Sequence, residues 1–556
     1  SVWGFLECEP NQCQKPVQLS IHVDGPPSVP SLTTSYVHGT SSVSLLYQTV
    51  GQRLDSTVQR WPDREAVVCV QDGIRKTFSQ FQQDVDKVAA GLLALGLKPG
   101  DRLGVWGPNM YEWILFQFAT AKAGIILVSL NTAYQASEVD FTLKKVQCNA
   151  VVCPTSFRTQ KYCEMLREIC PEIGTTPAAM IKSSRLPDLK MVIVTDSRQP
   201  GMLHVEDVMQ AAESRHHREL LELQSKLSCD DPINIQFTSG TTGNPKGATL
   251  SHHNIVNNAY FVGRRPWTRI CLQVPMYHCF GSVGGGMSMA VHGITLVFPS
   301  HGYNCQANLE AIQKEKCNFI FGTPTMFTDL LNHPDLPKYD LSSVEAGIIG
   351  GSPCPPEIVK KMMDVNMKES VVVYGTTENS PATFIGFPQD REDLKTNTVG
   401  CIMDHTEAKV VDPVTGQTVP LGTSGELMIR GYCVMKGYWN DPVKTSEAIT
   451  DGQWYKTGDT ASLNSLGYCQ IEGRIKDLII RGGENIYPAE IEQFLFQHPK
   501  IQEVQVWRGW CERRAISNFK IPHYVVFVDG YPLTVSGKIK KHVLKERMEQ
   551  QLGLEK

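Results

Sequence analysis

Ten consecutive residues carry the sharpest chemical signal in the chain: Thr238-Ser-Gly-Thr-Thr-Gly-Asn-Pro-Lys-Gly247. Three glycines in this run let backbone amides approach an anion and point at it, as phosphate-cradling loops require. Hydroxyls of Thr238, Ser239, Thr241 and Thr242 add donors and Lys246 adds positive charge, while Gly240, Gly243, Asn244 and Pro245 shape the turn. The run is not a G-x-x-x-x-G-K-[ST] loop, because Pro245 precedes the lysine. An apolar stretch over 233–237 leads into it and reads as the end of a strand.

Four later segments hold further candidates: Tyr374-Gly-Thr-Thr-Glu378, Tyr455-Lys-Thr-Gly-Asp459, Gly473-Arg-Ile-Lys-Asp477 and Pro532-Leu-Thr-Val-Ser-Gly-Lys538. Each alone has an ordinary explanation. Asp459 is an aspartate in a turn, Arg474 a solvated charge and Lys538 an exposed loop lysine. Together, and in this order, the five segments resemble the signature of the adenylate-forming superfamily, which includes acyl-CoA synthetases, luciferases and peptide-synthetase adenylation domains. The resemblance covers roughly residues 45 to 545. Runs at 231–237, 378–381 and 481–488 make it most similar to the mitochondrial medium-chain acyl-CoA synthetases.

That resemblance implies ATP-dependent ligation of a medium-chain fatty acid to coenzyme A through an acyl-AMP, with AMP and pyrophosphate released. ATP, Mg²⁺ and coenzyme A are the implied cofactors and co-substrates, and the implied setting is mitochondrial. Residues 238–246 would hold the β- and γ-phosphates, with Glu378 helping to bind Mg²⁺. Tyr374 would stack on adenine, and Thr376 and Thr377 would serve the α-phosphate. Asp459 would accept both ribose hydroxyls, and Arg474 would contact the ribose or α-phosphate. Lys538, carried by a mobile lobe, would reach the reacting carboxylate. Lys476-Asp477 resembles the hinge of that lobe. The acyl pocket is expected between Tyr277-His278-Cys-Phe-Gly281, with Gly284-Gly-Gly286 after it, and a second wall at Gly350-Gly351. The chemistry wants these types: joining a carboxylate to a triphosphate brings two anions together, so positive charge and oriented donors must meet the developing negative charge.

Positioning such groups needs a scaffold. Thr77 followed by Gln80 is a capping-box start, and Phe81, Val85, Val88, Leu92 and Leu93 then form one helical face closed by Gly96 and Pro99-Gly100. Arg102-Leu-Gly-Val-Trp106 reads as a strand, 111–123 as a helix and 125–129 as the next strand. Further strands are expected at 150–153, 191–194, 294–297, 319–321 and 371–374. Alternating strands and helices predict an α/β fold with mixed sheets flanked by helices. A more β-rich stretch follows over about 398–472.

The expected organisation is a poorly ordered tail at 1–42, a large multi-subdomain region at 43–473, a hinge at 474–477 and a small α+β C-terminal domain at 478–556. At 556 residues a multi-domain chain is the prior. A net charge of -4 gives no reason to expect nucleic acid, and no apolar stretch approaches the ~20 residues of a membrane span. The first thirty residues hold one Lys and no Arg, unlike an Arg-rich transit segment. Seventeen cysteines without any C-x-x-C argue against zinc knuckles and thioredoxin-type chemistry.

Three departures from the resemblance stand out. Val504-Gln-Val-Trp507 runs through 508–514 almost directly into Phe519-Lys-Ile-Pro522, where relatives carry a further strand and helix. A smaller loss lies between Phe261 and Val274, and Thr132 replaces a usual proline. A lost central strand would leave an exposed edge and a thinned core in a small domain. The competing expectations are therefore a catalytically impaired ATP- or acyl-binding protein, or an adenylation enzyme with another acyl acceptor.

Overall fold

The computed structural model describes residues 25–27, 29–238, 245–263, 268–365 and 367–477. Beyond these it describes 479–481, 484–486, 488, 491, 492, 495, 501, 504–506, 526, 528, 530–532 and 539–551. Ser239, Gly240, Thr241, Thr242, Gly243, Asn244 and Lys538 lie outside the described residues, as does all of the shortened segment from 507 to 520.

Local sequence signals explain the first elements. The Thr77 hydroxyl accepts from the Gln80 amide and the Gln80 side chain answers, so a capping box opens the helix Phe78–Ala94. The helix Tyr111–Lys122 has no polar stripe; all but one of its residues are buried. Apolar character on every side places a helix in the interior, and this one packs in the main core with residues of both large sheets.

Those sheets are mixed. One runs in the strand order Gly437–Tyr438, Lys246–Ser251, Pro232–Thr238, Ile126–Leu130, Arg102–Trp106, Ala150–Cys153, Met191–Val194, Leu203–His204. The other runs Cys401–Ile402, Ala382–Ile385, Val371–Gly375, Ala346–Ile349, Phe319–Gly322, Arg269–Leu272, Thr295–Phe298, Glu65–Cys69, Ile74–Thr77. Both have parallel centres; the first is antiparallel only at the Gly437–Tyr438 and Lys246–Ser251 end, the second at both edges, and their central strands are buried throughout. Strands covered on both faces read as continuous apolar runs. The β-rich stretch forms a five-stranded antiparallel sheet, Tyr36–His38, Thr406–Val411, Gly425–Gly431, Tyr455–Leu463, Cys469–Arg474.

The N-terminal expectation needs correction within that sheet. Residues 1–42 were expected to be loose throughout, yet Tyr36–His38 pairs with 407–409 as an edge strand. Ser35 and Val37 are buried, and the Tyr36 hydroxyl donates to Glu407 at 2.6 Å. Polar composition concealed a three-residue strand whose binding energy comes from pairing and not from its own pattern. Beyond the hinge segment, Ile479–Arg481 and Glu484–Ile486 form an antiparallel ribbon, and Lys541–Gln551 is helical.

Charges in the interior are paired. Lys122, 2% exposed, meets Asp55 at 2.6 Å and Asp86 at 2.7 Å, clamping three helices. His252 is buried neutral: its Nδ1 accepts from the Val50 amide at 3.1 Å, and burial pushes its imidazole down to about 4. From about pH 6.5 down to about 4 the unfolded chain takes up a proton that the folded chain refuses. Stability is therefore expected to fall with pH across that window, by roughly 3 kcal/mol at most, and to be flat with respect to this group on either side. Thermal melts from pH 7 to 4.5 should show a shallower slope in His252→Asn; an unchanged slope would remove His252 from the account.

Candidate active site

The phosphate-binding candidate is a hairpin end. Pro232–Thr238 and Lys246–Ser251 are antiparallel, with Thr238 opposite Lys246. The Thr238 hydroxyl donates to the Lys246 carbonyl at 3.5 Å, closing the base of the loop. Thr238, Pro245 and Lys246 are therefore brought together, whereas in a G-x-x-x-x-G-K-[ST] loop a strand feeds a helix. The Lys246 ammonium lies 3.0 Å from the Tyr438 hydroxyl and 4.2 Å from the centroid of its ring. Burial lowers the pKa of this ammonium, although Glu378 opposes the shift.

A second wall comes from the strand Val371–Gly375 and the turn after it. A side chain on Gly375 would collide with the Pro381 carbonyl at 1.8 Å, so only glycine lets the chain fold back here. The single turn Thr377–Asn379 then buries Glu378, 8% exposed, whose Oε1 accepts from the Tyr438 hydroxyl at 2.8 Å. The Thr376 hydroxyl is buried without a hydrogen-bond partner among the described residues, an arrangement that costs stability unless a ligand or water meets it. The Thr377 hydroxyl accepts from the Cys279 thiol at 3.5 Å, which ties this turn to the His278 segment.

Asp459 joins the third wall to the second. It lies on Tyr455–Leu463 directly opposite Arg474 on Cys469–Arg474. One carboxylate oxygen meets the Arg474 guanidinium at 2.7 Å, and the other accepts from the Tyr374 hydroxyl at 2.5 Å. Burial raises the Asp459 carboxyl above its usual range even with Arg474 beside it. A carboxylate has about four lone-pair sites, so Asp459 retains acceptor capacity beyond these two contacts. Tyr374, Asp459 and Arg474 thus form one unit, and Glu378, Tyr438 and Lys246 form another. Thr376 and Thr377 lie on the short turn between Tyr374 and Glu378.

The acyl-pocket candidates have a more mixed outcome. Phe280–Met287 forms a π-helix, a form often found at functional positions. His278 is half-buried at its mouth, with Cys279 bonded across to Thr377. Phe280 stacks on Phe321 with centroids 5.5 Å apart, and its ring lies 3.9 Å from where a side chain on Gly350 would stand. Gly350 is also pressed against Val373, and Gly351 adopts φ +91° in the exposed bend after it. Gly281, Gly285 and Gly286 serve packing instead of leaving open room. A side chain on Gly281 would strike the Pro275 carbonyl at 2.2 Å, one on Gly285 would strike Leu272, and one on Gly286 would meet Gln117.

Lys476 and Asp477, the expected hinge, sit in a short turn, Ile475–Asp477, and Asp477 pairs with Lys541 at 3.1 Å. That contact links the turn to the helix Lys541–Gln551, while the Lys540 amide donates to the Pro532 carbonyl at 2.7 Å. Among the described residues no group of three His, Cys, Asp or Glu stands ready for a metal ion. The buried Glu378 carboxylate fits magnesium instead, which is usually held by one or two carboxylates plus substrate phosphates.

Comparison with known proteins identifies the family. A family model described as "AMP-binding enzyme" matches residues 54–439. The medium-chain acyl-CoA ligase ACSF2, mitochondrial, of Danio rerio is 63% identical over 570 residues, covering 96% of this chain and 94% of that one. Its Homo sapiens counterpart is 50% identical over 573 residues, covering 96% and 93%. A 96% share of 556 residues is fewer than 570, so the relative holds residues with no counterpart here. Among solved structures, the anthranilate CoA ligase AuaEII in complex with anthranoyl-AMP aligns with TM-score 0.80 at 22% identity, covering 92% of this chain and 99% of that one. ATP-bound MatB from Rhodopseudomonas palustris aligns with TM-score 0.76 at 24% identity, covering 91% and 99%. The shared fold, the relatives of 50–63% identity and the matched family model lead to one conclusion: the chain belongs to the AMP-binding enzyme family.

Proposed function

We propose that this protein is an AMP-forming acid–thiol ligase that joins a medium-chain fatty acid to coenzyme A through an acyl-adenylate, in a mitochondrial setting. The observation that carries the assignment of roles is the convergence of Lys246, Glu378, Tyr374, Asp459 and Arg474 from four separate segments into two linked clusters.

In the first step a carboxylate oxygen attacks the α-phosphorus and pyrophosphate leaves. The 238–246 hairpin end grips the triphosphate tail with Lys246 at its base. Asp459 takes the ribose hydroxyls while Tyr374, bonded to it, sets the adenine beside them. Arg474 neutralises Asp459 and faces the ribose and α-phosphate. The unpartnered Thr376 hydroxyl, with Thr377, donates towards the α-phosphate. Glu378 would hold magnesium, which neutralises phosphate charge when bound. Lys538 meets the carboxylate and the developing negative charge. In the second step the coenzyme A sulfur attacks the acyl carbonyl and AMP leaves. The acyl tail lies between the His278–Gly281 and Gly350–Gly351 segments.

Octanoate- or decanoate-dependent ATP–pyrophosphate exchange by the purified protein, together with AMP release that requires coenzyme A, is the expected result. Absence of exchange with any aliphatic acid sinks the assignment. The same pair of measurements decides the competing readings: neither exchange nor thioester formation marks a catalytically impaired ATP- or acyl-binding protein, and exchange without thioester formation marks an adenylation enzyme with another acyl acceptor.

A further inference from the structure

Tyr438 stands between the two charged groups of the triphosphate end. It belongs to Gly437–Tyr438, an edge strand paired with Lys246–Ser251. Its backbone is pinned on several sides. The Tyr438 amide donates to the Thr445 hydroxyl at 2.9 Å, and its neighbour Trp439 donates to the Gly247 carbonyl at 2.8 Å. Met435 donates to the Glu378 carbonyl at 2.8 Å, so the same segment also fastens the Glu378 turn. The side chain is 6% exposed.

A phenol has one proton to give. Donated to Glu378 at 2.8 Å, it leaves the oxygen lone pairs to receive Lys246 at 3.0 Å. The result is a chain, ammonium to hydroxyl to carboxylate, in which the ring face also takes part of the positive charge. Lys246 lies on a strand of one sheet and Glu378 on a turn between two strands of the other, and the hydroxyl keeps them joined without direct ion pairing.

We propose that Tyr438 is a positioning residue for this end of the site, holding the Glu378 carboxylate in the orientation that receives a phosphate-bound divalent cation and parking Lys246 until triphosphate arrives. When triphosphate enters, Lys246 turns to the stronger anion. The phenol keeps its proton and its hydrogen bond to one Glu378 oxygen and leaves the other for the cation. This deepens the ligase reading and rests on it.

The test is calorimetric binding of ATP, with and without Mg²⁺, to full-length protein in the absence of fatty acid. Tyr438→Phe keeps the ring and removes one oxygen; it should weaken MgATP binding about tenfold, the size of one charge-assisted hydrogen bond, and metal-free ATP binding by less than about threefold. In a Glu378→Gln background the same change should cost less than about threefold, because the partner it acts through is gone. Replacement of residue 438 by 3-fluorotyrosine, which packs like tyrosine and donates more strongly, should tighten MgATP binding and covers the case in which the phenylalanine variant melts early. Equal losses with and without metal, full additivity with Glu378→Gln, or no response to fluorination overturns the proposal. Failure of acid-dependent exchange in the unaltered protein would instead sink the ligase reading, and these binding measurements do not depend on it.

Discussion

Lys538→Ala is expected to lower octanoate-driven ATP–pyrophosphate exchange by roughly a hundred- to a thousand-fold while thioester formation from supplied octanoyl-AMP and coenzyme A stays within about threefold of normal. The asymmetry follows from charge. In the first step a carboxylate approaches a triphosphate, and a compact ammonium on a flexible stem is suited to sit between them. In the second step the acyl group is already esterified to AMP, so that repulsion is gone. On the C-terminal side of Lys538 the chain is fastened at two points: the Lys540 amide donates to the Pro532 carbonyl, and Lys541 pairs with Asp477. Paired assays of the two half-reactions check this. Equal losses in both would mean that Lys538 supports the fold of the small domain and not the first step.

Asp459→Asn carries the second large effect, and it falls on nucleotide affinity. The carboxylate is 4% exposed, holds Arg474 and Tyr374, and keeps acceptor capacity for the ribose hydroxyls proposed to meet it. Losing charge at these bonds should weaken ATP by about a hundredfold, at ~1.5–3 kcal/mol for each charged hydrogen bond. The stability cost should be smaller, about 1–2 kcal/mol, because Arg474 remains half-exposed and water screens it. Comparison of ATP with 2′-deoxy-ATP sharpens the test. The normal protein should prefer ATP, and the preference should shrink in Asp459→Asn. If the variant discriminates between the two nucleotides as well as the parent does, the ribose is bound elsewhere.

Local patterns announced much of the scaffold. The strand Arg102–Trp106 is where alternating helix and strand signals placed it, and the Thr77/Gln80 cap opens its helix. The strands expected at 294–297 and 319–321 are displaced or extended by a single residue. These are features that neighbours in sequence determine. The site became readable only through the order of its motifs, since Asp459 or Arg474 alone signals nothing. What stayed hidden was set by distant pairings. Tyr438 is 192 residues from Lys246 and 60 from Glu378, and nothing in Gly437-Tyr-Trp-Asn440 suggests a hydroxyl aimed at both. The glycines at 281, 285 and 286 are ambiguous in the same way: a missing side chain marks space in a pocket or close packing of backbone, and only the fold shows the close packing found here.

The short edge strand at Tyr36–His38 bears on where this protein can be cut. It completes the sheet that bears Asp459 and Arg474, and stripping it away would bare the ladder groups of Thr406–Val411 and invite sticking between copies. An expression boundary drawn at residue 43, where regular patterning begins, would therefore trade solubility for brevity. A cut ahead of Ser31, whose amide is bonded to the Ser465 carbonyl at 3.0 Å, leaves this edge of the sheet whole.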